Sequence, residues 1–212
     1  MTTPQTPEAV RAALHRGTAV VLPNPAPLTH VVAGTDPRAV NSAKGRPADQ
    51  AVALWAHHPR TLTALDGVLP LTPGVRRLLA EERVTLLLPV LAAAPAWLVP
   101  ATRDGWTMLF GARWEPVLPL LDDHPVLYVS SANRTGHLPA ATTAEAVAMF
   151  PPEVPVLAST PTPGPRAATT TLRLHPDGRL DLHRHGAQDH PFPDAAAYLS
   201  HVRTTYLDGG PA

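Results

Sequence analysis

The stretch VLYVSSANRTG, Val126–Gly136, holds four apolar residues and then turns without a break to serines, an asparagine, an arginine, a threonine and a glycine. Its first half has the composition of a strand buried on both faces. The second half is polar chemistry at a strand end, the place where open sheets bind ligands. Ser131 and Asn133 lie two apart, so hydroxyl and carboxamide can reach neighbouring atoms of one ligand, while Gly136 permits a tight turn. A Ser/Asn-rich turn that bonds its own backbone is the competing reading.

Reading outward from this strand gives alternating elements. Thr6, Pro7 and Glu8 open a helix with Val10, Ala13 and Leu14 on one face, and Gly17 is placed to end it. TAVVLP then reads as a buried strand that runs into the proline-rich loop PNPAPLTH. AVALWA (51–56) reads as a second strand, and Thr72-Pro73-Gly74 opens a helix whose apolar face is Val75, Leu78 and Leu79. VTLLLPV and WTMLFGA are further short apolar runs bounded by breakers, and a helix is expected between Glu115 and Asp122. Thr142 with Glu145 makes a capping-box pattern for a helix that stops before Pro151. TTTLRLHPDGRLDLHRHG alternates on both sides of Pro-Asp-Gly, which predicts a hairpin. Asp194 caps a last helix carrying Tyr198, Val202 and Tyr206. The order predicts an α+β, three-layer α/β fold: a twisted mixed sheet flanked by helices.

Bulk properties narrow the function. A chain of 212 residues, 44% of them hydrophobic, is long enough to bury one core. We read residues 1–190 as a single domain and 191–212 as a C-terminal helix packed on it or extending from it. Seventeen basic residues balance seventeen acidic ones, so a general electrostatic grip on nucleic acid or anionic lipid is not expected, and any polyanion site must be local. Arg76, Arg77 and Arg83 are the best remaining basic cluster for double-stranded RNA, and a solvated helix face is the simpler account of them. No cysteine is present, which removes disulfides, thiolate metal sites and cysteine nucleophiles. Eleven histidines include His57-His58 and His183 with His185, but HExxH is absent and no third ligand stands at a standard spacing, so no metal site is expected. GxSxG and GxxxxGK[ST] are absent as well. Without an apolar run near eighteen residues or a leader pattern, the chain reads as cytoplasmic, with no membrane partner.

A second loop carries the same kind of chemistry as the first. In NSAKGRP (41–47) a lysine and an arginine flank a glycine before a proline; in an extended segment Lys44 and Arg46 would project to one side and reach one anion. A compact ammonium and a planar guanidinium together suit the oxygens of a polyphosphate. A lone KxR is a weak motif, and taken alone a solvated basic turn is the better account of it.

The two loops together are far more specific. Lys44-Gly-Arg46-Pro followed by Ser131-Ala-Asn133 resembles the KxR…SxN signature of the YrdC-like family, the threonylcarbamoyl-AMP synthases. GTDP (34–37) is similar to the family's GxDP segment, VTLLLP to the strand near its PGPxT motif, and AATTTLRL with Arg184-His185-Gly186 to its closing hairpin. This resemblance covers most of the chain. It implies a concave fold around a nucleotide cavity and an ATP-dependent reaction that joins L-threonine, bicarbonate and ATP into threonylcarbamoyl-adenylate and pyrophosphate, with Mg²⁺ assisting. Partner proteins would use the product for tRNA modification. It further implies Lys44, Arg46, Ser131 and Asn133 as catalytic and ATP-binding residues, joined at the nucleotide by Thr169, Thr170 and Arg184, with Thr85 and Asn24 toward the amine. Ser159–Arg166 resembles the connector leaving the family's core and is expected to act as a mobile lid.

The departures fall on the amino-acid side of the site. The family's PT-(E/T)-x-YG loop is replaced by Pro23-Asn24-Pro25-Ala26-Pro27, Gln50 stands where many members have lysine, and EER replaces PGP before Thr85. The arginine expected near TMLFGARWEP is absent or displaced to Arg113. A different amine, a carbamoyl-transfer role, or a non-catalytic binder of nucleotide or double-stranded RNA are therefore the alternatives.

Overall fold

The computed structural model describes residues 3–160 and 163–208. Helix α1 (Pro7–His15) is capped by Thr6, whose hydroxyl accepts from Ala9 N, and leads to strand β1 (Val20–Leu22). There follow β2 (Val31–Gly34), α2 (Pro37–Ala43), β3 (Ala53–Trp55), α3 (Pro59–Ala64) and α4 (Pro73–Arg77), the last running on into a π-helical turn, Leu78–Glu82. Next come β4 (Thr85–Pro89), a 3₁₀ turn (Ala96–Ala101), β5 (Thr102–Arg103), β6 (Trp106–Phe110), the one-turn α5 (Leu118–Leu121) and β7 (Tyr128–Ser131). The chain closes with α6 (Thr143–Met149), the hairpin β8 (Thr171–Leu174) and β9 (Leu180–Arg184), and α7 (Ala195–Val202) with a further π turn. Sequence reading misses β2, α2 and α3, and the helix expected over 115–122 is a single turn.

Among the described residues nine strands form one mixed open sheet in the order β1-β2-β7-β3-β6-β4-β8-β9, with β5 paired to β6. The parallel pairs are β3 with β6 and β4 with β8; the rest are antiparallel. Residue alternation divides the core in two. Val32, Leu54, Leu86, Leu88, Leu109, Tyr128 and Leu172 face one side, where α2, α4, α6 and α7 cover them with Val40, Val75, Ala146, Tyr198 and Val202. Tyr198 and Val202 therefore tie the last helix into the main core. Val31, Ala33, Ala53, Trp55, Phe110 and Val129 face the other side, where α1 and α5 cover only part of the sheet with Val10, Leu14, Leu120 and Leu121. The uncovered part is a concave cavity. No helix among the described residues is long and apolar enough to cross a membrane.

Two further expectations meet the structure here. Arg76 bonds Asp66 and the Leu62 and Leu71 carbonyls, and Arg77 pairs with Glu81, so two members of the basic cluster have acidic partners of their own. The connector expected as a lid is fastened at both ends. Ser159 Oγ lies 2.8 Å from Thr143 Oγ1, and Arg166 Nη1 donates to Leu28 O at 2.7 Å and Asn24 O at 3.2 Å. Its residues 161 and 162 lie outside the described residues.

Candidate active site

Lys44 and Arg46 do not sit in an extended segment. Lys44 is the C-cap of α2 in right-handed helical conformation, and Gly45 follows at φ +65°. Gly45 N donates to Ser42 O at 2.9 Å and Arg46 N to Asn41 O at 3.1 Å, the paired bonds of a Schellman helix end. A left-handed residue at this point requires glycine, which is why the motif's middle residue is one. The turn, instead of strand alternation, sends both cations the same way.

The turn delivers Lys44 to the end of β7. Its ammonium donates to Asn133 O and Asn133 Oδ1, each at 2.8 Å, and to Ser131 O. Ser131 Oγ donates to Asn133 Oδ1 at 2.6 Å, and Asn133 Nδ2 reaches His137 O at 2.9 Å. Thr135 N donates to Lys44 O at 3.1 Å. The two loops, 87 residues apart, are thus one hydrogen-bonded unit. Lys44 is only 4% exposed. Burial, and then the charges of Arg46 and Arg184, push its ammonium down to about 7, while its three oxygen acceptors favour the charged form.

Lys44, Arg46, Ser131, Asn133, Thr169, Arg184, Thr85 and Asn24 all line one cavity of ≈ 500 Å³. Among the described residues the lining contains three cations and no carboxylate. Its apolar wall comes from Val31, Ala53, Met108, Phe110 and Val129. Thr85 Oγ1 and Thr169 Oγ1 are 2.6 Å apart on the far side, and Arg184 Nη2 donates to Thr169 O at 3.3 Å. Thr170 is not part of it. Its side chain turns to the opposite side, fully buried, where Oγ1 donates to Asp189 Oδ1 at 2.6 Å and accepts from Gln188 N and Asp189 N, each at 3.1 Å. Arg113 borders a separate surface cleft, so it does not replace the arginine missing from the cavity wall.

Asn24 is held by its Nδ2 donating to Thr29 O at 2.9 Å, while its buried Oδ1 has no partner among the described residues. It also borders a side chamber of ≈ 150 Å³ with His30, Thr143, Ser159 and Arg166. Burial, reinforced by the Arg166 charge, pushes His30 down to about 4, so the ring is neutral. Asn41 is the polar residue that sequence reading passes over. It is fully buried and its Nδ2 donates to Ala48 O at 3.0 Å and Gln50 O at 2.8 Å, tying down the loop that carries Arg46. An amide in the last turn of an unrecognised helix gave no signal of its own.

No carboxylate among the described residues faces the cavity, and Mg²⁺ prefers carboxylate and phosphate oxygens. The lining residues therefore do not fit a protein-bound Mg²⁺.

No family model matches the chain, and no curated protein does. Solved structures do. They include P. abyssi Sua5 complexed with L-threonine (TM-score 0.60, 19% identity, covering 82% of this chain and 53% of that one). Full-length HypF in the phosphate- and nucleotide-bound form matches at TM-score 0.66 and 14% identity, over 87% of this chain and 29% of that one. E. coli YciO matches at TM-score 0.65 and 15% identity, over 90% and 95%. The chain shares the fold of these proteins. It spans about half the length of the Sua5 structure and less than a third of HypF.

Proposed function

We propose that the protein is an ATP-dependent YrdC-like enzyme that converts an amine and bicarbonate into a carbamate and adenylates it, with L-threonine as the amine and threonylcarbamoyl-adenylate as the product. The observation that carries this reading is the lining of the cavity: Lys44, Arg46 and Arg184 with no carboxylate among them. Such a pocket favours a multiply charged anion, and ≈ 500 Å³ admits a nucleotide. The nucleotide-bound HypF structure on the same fold supports the nucleotide half, and the L-threonine-bound Sua5 structure the amine half.

The chemistry asks for positioning and charge neutralisation. Amine and bicarbonate condense to a carbamate with loss of water. A carbamate oxygen then attacks the α-phosphorus in line, forming the P–O bond as the bond to pyrophosphate breaks. Lys44, Arg46 and Arg184 would offset the charge that moves onto the departing pyrophosphate. Ser131 and Asn133 would bond the adenylate phosphate or the carbamate once the ligand draws them from each other. Thr169 and Thr85 offer hydroxyls on the far wall, and Asn24 Oδ1 is the buried acceptor suited to the carbamate N–H. Mg²⁺ would arrive as ATP's own counter-ion and take no ligand from the protein.

The test is pyrophosphate release and mass spectrometry with ATP, Mg²⁺ and bicarbonate, with and without L-threonine, in wild type, Lys44→Ala and Ser131→Ala. Threonine-dependent threonylcarbamoyl-adenylate that disappears in both variants supports the reading. ATP turnover with another amine in place of threonine would favour a second reading, a different amine, to which the Pro23–Pro27 loop already points. Absence of ATP binding would reject both.

A further inference from the structure

We infer that Asn41 is a positioning residue for the phosphate-binding arginine: its carboxamide fixes the Arg46 guanidinium so that the remaining N–H groups face the anion. The inference rests on the nucleotide reading of the cavity. Arg46 Nε donates to Asn41 Oδ1. The amide cannot rotate to offer nitrogen instead, because both of its Nδ2 hydrogens are taken by the Ala48 and Gln50 carbonyls. Asn41 is 0% exposed, so no water competes for that oxygen. One polar side chain therefore sets both the path of residues 46–50 and the azimuth of the guanidinium.

What Arg46 keeps in reserve makes this more than a structural staple. Its Nη2 is buried and has no partner among the described residues, although Arg46 lines the anion cavity. An unpaired buried donor on a cation is costly unless a ligand satisfies it. With Nε pinned on Asn41, Nη1 and Nη2 have no hydrogen-bond partner among the described residues, and they are the pair of nitrogens that can bind two phosphate oxygens at once. The same turn fixes Lys44, since Lys44 N and Arg46 N both donate to Asn41 O at 3.1 Å. Asparagine is thus the C-terminal anchor of both cations.

The experiment is a double-mutant cycle read by calorimetric titration with pyrophosphate and with ATP on wild type, Asn41→Ala, Arg46→Ala and the double variant. Asn41→Ala should weaken both ligands roughly tenfold, as expected for losing a hydrogen bond to a charged group. In the Arg46→Ala background the same change should have almost no effect. Equal loss in both backgrounds would show that Asn41 only shapes the loop and would overturn the inference alone. Wild type that binds neither ligand would reject the nucleotide reading along with it. Should Asn41→Ala fail to fold, the ¹⁵N resonance of Arg46 Nε–H in wild type, assigned through Arg46→Lys, decides: slow solvent exchange is expected, and exchange as fast as that of a surface arginine overturns the inference.

Discussion

Raising the pH from 7 to 9 should weaken ATP binding through Lys44. The ammonium is buried beside Arg46 and Arg184 and held near 7 against an ordinary 10.5. A polyphosphate against it restores the charged form, so binding draws in a proton wherever the free protein has lost one. Between pH 7 and 9 the charged fraction of a group at 7 falls from about a half to about one in a hundred, and affinity should fall roughly fiftyfold. Calorimetric titration of ATP in paired buffers of different ionisation enthalpy measures that proton directly. Uptake should approach one per ATP near pH 9. Lys44→Met should bind more weakly and show no such uptake beyond ATP's own titration, which the comparison cancels. The reasoning is refuted if wild type and Lys44→Met give the same proton count and wild-type affinity is flat, because the three oxygens around the ammonium would then have outweighed its burial. For folding, the sign is opposite to that of a lysine whose value is raised by an acidic partner. The unfolded chain binds more protons between about 7 and 10.5, so the Lys44 contribution to stability improves as pH rises through that window.

His30 contributes to the acid limb of stability. Its folded value near 4 lies below the ordinary 6.5, so the unfolded chain binds more protons between these values and stability is lost as pH falls from 6.5 toward 4, by roughly 3 kcal/mol. Urea unfolding of His30→Gln across this range should be flatter than wild type, and parallel curves would refute the assignment. Gly186→Ala should cost roughly 2–3 kcal/mol, because a Cβ there would lie 2.3 Å from Thr170 N and 2.4 Å from the Thr169 carbonyl carbon. Backbone is in the way, so a melting temperature equal to wild type would contradict the packing. Thr85→Val leaves Thr169 Oγ1 without its 2.6 Å partner and should cost about 1–2 kcal/mol by urea unfolding, with a change under a few tenths speaking against a buried hydroxyl pair.

What the sequence makes legible is what local chemistry decides. Thr6, Thr72, Thr142 and Asp194 each accept a backbone N–H at the start of a helix, and each is readable as a cap because the bond spans three residues. The capping box at Thr142 is shifted in one detail: Glu145 Oε2 reaches back to Ala141 N at 2.7 Å. Strand β2 is hidden for the opposite reason. Four buried residues after a proline-rich loop carry no alternation, and the strand exists because β1 and β7 pair with it on either side. Helix α2 is equally hidden, with seven residues and an apolar face of little more than Val40 and Ala43. Without that helix, KGR reads as extended.

Two cations two residues apart can be aimed at one point by strand alternation or by a helix end whose glycine reverses the chain, and the KGR triplet is compatible with both. Only the second route brings the lysine's ammonium onto the Ser131 and Asn133 carbonyls. On the nucleotide reading, a self-bonded turn and a ligand site are not alternatives at SSAN. Ser131 does bond its neighbour, as a self-satisfied turn would, but the oxygen it bonds, Asn133 Oδ1, also accepts from Lys44. On that reading, one carboxamide oxygen takes a hydroxyl and an ammonium that a phosphate could take in its place. Asn133 keeps these donors satisfied, and it would surrender them to a ligand carrying more negative charge.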